Sequence, residues 1–143
     1  MAIALALLLA ACGPAPSLPE NTAVKEPAAV TVHHVLIAFA GSERSTSKRT
    51  KQDAQKLAYD ILARAKAGED FEKLVKEFSD DPGKRPYTVA NAGAKPGPGE
   101  FPRAMMAKGF GDVSFRISVG EIGMAEFDSA TCTFGWHIIK RIK

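Results

Sequence analysis

The C-terminal stretch Thr131 to Lys143, TCTFGWHIIKRIK, constrains the fold more than any other part of the chain. Read with a period of two, it puts Trp136, Ile138 and Ile142 on one face of a strand and Gly135, His137 and Ile139 on the other. A strand with apolar residues on both faces belongs at the centre of a sheet covered on both sides, which takes His137 largely out of water. A second such run, Val30 to Phe39 (VTVHHVLIAF), carries His33 and His34. Neighbouring residues on a strand point to opposite faces, so only one of these two histidines can share a compartment with His137. The rest of the chain must hold the two strands together and wall the space beside them.

Between the strands the pattern is helical. Ala54, Leu57, Ala58, Ile61, Leu62 and Ala65 recur at helical spacing with charged residues elsewhere on the wheel, and Gly68 marks the stop. Asp70 then caps a short helix whose apolar stripe is Phe71, Leu74, Val75 and Phe78, ended by the Ser79-Asp80-Asp81-Pro82-Gly83 turn. Arg85 to Ala94 reads as a weak strand through Tyr87 and Val89, and Lys95 to Gly99 as loop. Phe101 to Gly109 is expected to be a short helical stretch with Pro102 in its first turn, followed by an apolar turn from Phe110 to Phe115 and a last connecting strand after Val119-Gly120-Glu121-Ile122-Gly123. Of the adjacent methionines, Met105 is expected in the core. Strands at both ends with helices between them point to an α+β domain with a mostly antiparallel sheet.

The N-terminal part has a different character. Met1 to Ala11 is an unbroken apolar and small-residue run, too short to span a bilayer, and reads as the apolar region of a signal peptide. It ends in Leu9-Ala10-Ala11-Cys12, which resembles a bacterial lipobox and makes Cys12 the expected lipidation site, tying the protein to a membrane without a spanning helix. Residues 12–29 hold Pro14, Pro16, Pro19 and Pro27 and read as a linker, leaving 30–143 as one domain. With Cys12 acylated, Cys132 has no partner and no disulfide is expected. A formal charge of +3 over 143 residues, without a basic cluster, gives no ground for nucleic-acid binding. The histidines and aspartates lack a ligand pair at short spacing, so no metal site is expected.

VHHVLI, DFEKLVKEFSDDP, the Phe101…Met106…Phe110 spacing followed by SF and VGEIG, and FGWHIIK occur in this order along the chain. The arrangement resembles the parvulin family of peptidyl-prolyl cis/trans isomerases from Val30 to Lys143. The resemblance implies a four-stranded, mostly antiparallel sheet wrapped by about four helices, with the first and last strands side by side at its centre. It implies that His34, Asp81 and His137 form the catalytic group and that Met106, Phe110 and Cys132 line the substrate side, with His34 and His137 hydrogen-bonded to each other. Three departures stand out. Cys132 falls where the family has threonine, YTVANAGA replaces a glycine-rich strand, and the link from Glu121 to Thr133 is longer.

The chemistry implied needs no cofactor and breaks no bond. A clamp of Met106 and Phe110 would grip the proline ring while polar groups favour the twisted amide over the planar one. The expected substrates are unfolded or partly folded proline-containing polypeptides outside the cytoplasm, handled by a monomer. The alternative from another function class is a parvulin-fold chaperone that binds extended chains without catalysis. The stretch Ala38 to Arg44 after the first strand offers only Arg44, beside Glu43, so apolar or neutral residues are expected before proline rather than phosphorylated ones.

Overall fold

The computed structural model describes residues 25–143, so the signal segment, Cys12 and the linker up to Val24 lie outside the described residues. The elements are β1 (Ala29–Ile37), α1 (Lys51–Lys66), α2 (Phe71–Phe78), β2 (Tyr87–Ala90), β3 (Phe101–Pro102), a 3₁₀ turn (Arg103–Met105), α3 (Lys108–Arg116), β4 (Ile122–Ala125) and β5 (Trp136–Arg141). They form one sheet in the order β3-β2-β1-β5-β4. The first and last long strands are antiparallel neighbours at its centre, with His34 opposite Ile139 and Leu36 opposite His137.

Alternation along these strands divides the core in two. Val35 and Ile37 of β1, with Trp136 and Ile138 of β5, pack under α1 and α2 through Ala54, Ala58, Ile61, Phe71 and Leu74. Val30 and Val32, with Ile139, pack on the other face against α3 through Phe110, Val113 and Phe115. Covering both faces is what the two-sided apolar pattern of β5 requires. His33 points to the α1/α2 side, where it meets Phe71 edge-on at 6.1 Å between ring centres, while His34 and His137 share the α3 side.

Local chemistry fixes the helix ends. Thr50 caps α1 by accepting from the Asp53 amide at 3.0 Å, and Asp70 caps α2 by accepting from the Lys73 amide at 3.0 Å. Gly68, at a φ of 96°, reverses the chain after α1.

Among the described residues the sheet has five strands where four were expected. The Pro/Gly loop at 95–99 returns Phe101–Pro102 alongside β2 as a two-residue parallel edge strand, so the sheet is mixed. Proline is tolerated there because it donates to no ladder on the open side. Pro102 therefore ends a strand and caps a 3₁₀ turn, and three α-helices plus that turn take the place of about four helices. The helix carrying Phe110 starts at Lys108 and runs through Gly109 and Gly111. Tertiary contact overrides the poor helix propensity of glycine here. A Cβ on Gly109 would come within 3.2 Å of the Cys132 Cβ, and the Gly109 amide donates to the Thr131 carbonyl at 2.9 Å, docking α3 on the link before β5. Gly135 is required more strictly. At a φ of 140°, a Cβ there would lie 2.2 Å from the Ile37 carbonyl oxygen.

Met105 is not in the core. It is 72% exposed, because the 3₁₀ turn projects it outward while Met106 packs against the α3-side core.

Candidate active site

β1 is longer than β2, so its outer edge beyond Val32 has no strand partner. The turn after α2 takes that place. The Leu36 amide donates to Ser79 Oγ at 3.1 Å, the Asp80 amide donates to the Leu36 carbonyl at 2.8 Å, and Asp80 Oδ2 accepts from the Ala38 amide at 2.8 Å. Arg49 closes the arrangement with a 2.6 Å ion pair to Asp80. Buried backbone groups need partners, and meeting that need brings the next residue, Asp81, alongside His34.

Asp81 Oδ2 lies 3.0 Å from His34 Nε2. The Tyr87 hydroxyl donates to the same oxygen at 3.1 Å, and the Gly83 amide donates to Oδ1 at 2.8 Å. The hydrogen bond from His34 holds the Asp81 carboxyl far below the usual carboxylate range, with the Gly83 amide and Tyr87 hydroxyl adding to it against the cost of burial. Burial, followed by the Asp81 charge, raises the Tyr87 hydroxyl. The His34 ring is boxed in by Phe110 at 5.1 Å, Tyr87 at 5.4 Å and His137 at 5.5 Å between ring centres.

His34 and His137 are adjacent, but they are not hydrogen-bonded to each other as expected. Nε2 of His34 is taken by Asp81, and its buried Nδ1 has no partner. Nδ1 of His137 lies 3.3 Å from Cys132 Sγ. The strand register accounts for this. The two histidines sit on diagonal positions of antiparallel strands, close enough for ring contact but aimed at different loops. Burial pushes the His137 imidazole down to about 3, so the ring is neutral near pH 7.

Cys132 departs from the expected substrate-lining position. It is fully buried behind His137, with Sγ 3.4 Å from the Gly135 carbonyl, and burial together with the Asp128 charge raises the thiol to about 11. A neutral thiol shielded from the cleft is a poor nucleophile.

The cleft in front of these rings encloses about 480 Å³ and is lined by His34, His137, Asp81, Tyr87, Met106 and Phe110, with Met105 and Phe134 also on its wall. The loop Glu43 to Ser47 and Asp80 form the rest of the rim. Glu43 is engaged by the Thr133 hydroxyl, and Arg44 forms no ion pair among the described residues. The sequence reading brought His34, Asp81, His137, Met106 and Phe110 to one site and missed Tyr87 and Phe134. The missed signal for Tyr87 was an aromatic at the strand position opposite Val32, which places it on the His34 face. Among the described residues no cluster of three or more His, Cys, Asp or Glu side chains could hold a metal ion, and no helix is long and apolar enough to cross a membrane.

Residues 18–142 match the family described as PPIC-type PPIASE domain. The chain belongs to this family. It is 36% identical over 86 residues to the foldase protein PrsA of Geobacillus kaustophilus, covering 60% of this chain and 27% of that protein. The foldase protein PrsA of Caldanaerobacter subterraneus subsp. tengcongensis is 37% identical over 86 residues, with 60% and 24% covered. The chain thus spans about a quarter of the length of these relatives. Among solved structures, peptidyl-prolyl isomerase ESS1 from Candida albicans shares the fold at a TM-score of 0.63 and 22% identity, over 81% of this chain and 63% of that one. A peptidylprolyl isomerase (PrsA) from Bacillus anthracis gives 0.50 at 20% identity, over 81% and 41%.

Proposed function

We propose that the chain is a peptidyl-prolyl cis/trans isomerase that assists the folding of exported proteins by noncovalent stabilisation of the twisted Xaa-Pro amide. The observation that carries this reading is the cleft in which Phe110 and Met106 face two buried imidazoles. Rotation about a peptide bond is opposed by a barrier of about 18–20 kcal/mol arising from C–N double-bond character. The planar amide has more charge separation than the twisted one. Moving it from water into an aromatic-walled site therefore raises the planar state more than the transition state. Phe110 and Met106 hold the proline ring. His34, fixed by Asp81, and His137, kept neutral by burial, present a polar floor to the carbonyl. With Cys132 buried and protonated, covalent attack on the amide has no candidate thiol among the described residues.

Residues 1–11 are proposed as a signal peptide, Cys12 as the lipidated residue and 12–29 as the tether, so that the domain at 30–143 works on the outer side of a bacterial membrane. The domain is proposed to work as a monomer. One observation favours a holding role as well. Met105, 72% exposed on the cleft wall, gives the rim a flexible apolar lip suited to extended chains of varied sequence. Refolding of a proline-limited substrate protein separates the two roles. An isomerase accelerates the slow phase at substoichiometric amounts, whereas a holding protein leaves its rate constant unchanged and alters only the yield.

A further inference from the structure

The chain's departure at 87–94 puts an aromatic hydroxyl where the site needs a fixed carboxylate. Tyr87 pairs with Val32 across β1 and β2, so its side chain lies on the face that carries His34 two residues further along β1. Phe101 of β3 supports the ring edge-on at 5.5 Å, and the Arg85 guanidinium lies 5.9 Å from its centre. The ring covers His34 at 5.4 Å, and the hydroxyl donates to Asp81 Oδ2, the oxygen that faces His34 Nε2.

We propose that Tyr87 is a positioning residue of the isomerase site, its hydroxyl fixing the Asp81 carboxylate against His34 and its ring fixing the imidazole plane. This inference rests on the isomerase reading. Asp81 directly follows the anchored Asp80 amide and belongs to a turn, so its side chain is held by donors and not by a regular element. Of its two oxygens, Oδ1 is restrained by the Gly83 amide alone. Oδ2 receives both His34 and Tyr87, so loss of the hydroxyl leaves Oδ2 held by His34 alone and widens the swing of the carboxylate about its terminal torsion, which is soft. Among the described residues His34 has no second restraint through hydrogen bonding, since its Nδ1 is without a partner there. Tyr87 thus acts through Asp81 on the imidazole that faces the substrate.

Gly83 supplies an independent handle on the same hydroxyl. A Cβ there would come 2.9 Å from Tyr87 Oη and 3.2 Å from Asp81 Oδ1. Its φ is not in the left-handed region, so alanine is admissible to the backbone and acts by displacing the hydroxyl.

The test uses Tyr87→Phe, Gly83→Ala and the double variant of the full chain, each assayed by NMR exchange on Xaa-Pro peptides over a pH series. The groups facing Asp81 are His34 from β1, Tyr87 from β2 and the Gly83 amide from its own turn, with Arg85 beyond the Tyr87 ring and His137 of β5 behind His34. Tyr87→Phe is expected to lower kcat about fivefold, the rate equivalent of about one hydrogen bond, with KM nearly unchanged. The acid limb of the profile is expected to move to higher pH, because Asp81 loses a donor to its charged form. Gly83→Ala should give the same signature in the parent and much less of it in the Tyr87→Phe background, where the obstructing oxygen is gone. Unchanged kcat and an unmoved acid limb in Tyr87→Phe, or equal effects of Gly83→Ala in both backgrounds, would overturn the proposal. The ¹⁵N resonances of the His34 ring give a readout independent of turnover. If the parent proves inactive the isomerase reading fails. An unmoved His34 resonance in Tyr87→Phe fails the positioning role whether or not the parent is active.

Discussion

Acidification should destabilise the domain well before its carboxylates protonate, through His137. The folded state holds this imidazole down to about 3, against an ordinary value of 6.5. As pH falls, the unfolded chain therefore takes up the proton first. The associated stability is complete above about pH 6.5 and is lost progressively as pH falls from there toward the folded value. At pH 5 the loss is one and a half pH units at about 1.36 kcal/mol each, or about 2 kcal/mol. For a domain of this size that is on the order of 8 °C in melting temperature. His33, also lowered chiefly by burial, adds in the same direction. Asp81 contributes only below the ordinary carboxylate range, since it is ionised in both states at pH 5. Urea titrations of the parent and His137→Leu at pH 7 and pH 5 isolate the term, because His33 and the carboxylates are common to both. The parent should lose about 2 kcal/mol more than the variant between the two pH values. Equal losses would mean that His137 is not held neutral by burial, and its role as an uncharged polar group in the cleft floor would fall with it.

Phe110 is 4% exposed overall yet lines the cleft and touches both imidazoles, so Phe110→Ala should lower kcat/KM by about tenfold or more, about 1.4 kcal/mol in transition-state free energy. A folded variant with full activity on tetrapeptides would remove Phe110 from the proline pocket. Cys132→Ser and Asp81→Asn should each keep activity within about a hundredfold of the parent, because neither removes a nucleophile. Total loss in a folded Cys132→Ser, checked by circular dichroism, would relocate the reactive centre. Phosphorylation of the residue before proline should not improve turnover in a matched peptide series. Among the described residues Arg44 is the one cation lining the cleft, beside Glu43 and Asp81, and a preference for the phosphopeptide would contradict this balance.

The central strands were legible because their sequence leaves little choice. WHIIK and VTVHHVLI are apolar on alternate faces, and a strand buried on both sides must pair at the centre of a sheet, which is where β1 and β5 lie. α1 and α2 were legible through helical spacing and through Asp70 at a cap. The segment from Phe101 to Arg116 was not. Its glycines and prolines carry no periodicity, and β3 and the start of α3 exist through contacts with distant residues, Val89 in one case and Thr131 and Cys132 in the other. The same limit applies within the site. Which residues converge followed from strand parity and family resemblance, but which donor meets which acceptor depends on turn geometry. Asp81 therefore takes His34, Cys132 takes His137, and the expected bond between the histidines is not formed.

NMR exchange spectroscopy on a short Xaa-Pro peptide with a neutral residue before proline tests the isomerase reading most directly. Uncatalysed interconversion takes tens of seconds or longer. With the protein at a small fraction of the peptide concentration, cis/trans exchange should enter the range of a second or faster, and the effect should fall with Phe110→Ala. Binding of the peptide to the cleft, seen as shifts at His34 and Phe110, without any acceleration of exchange would contradict catalysis.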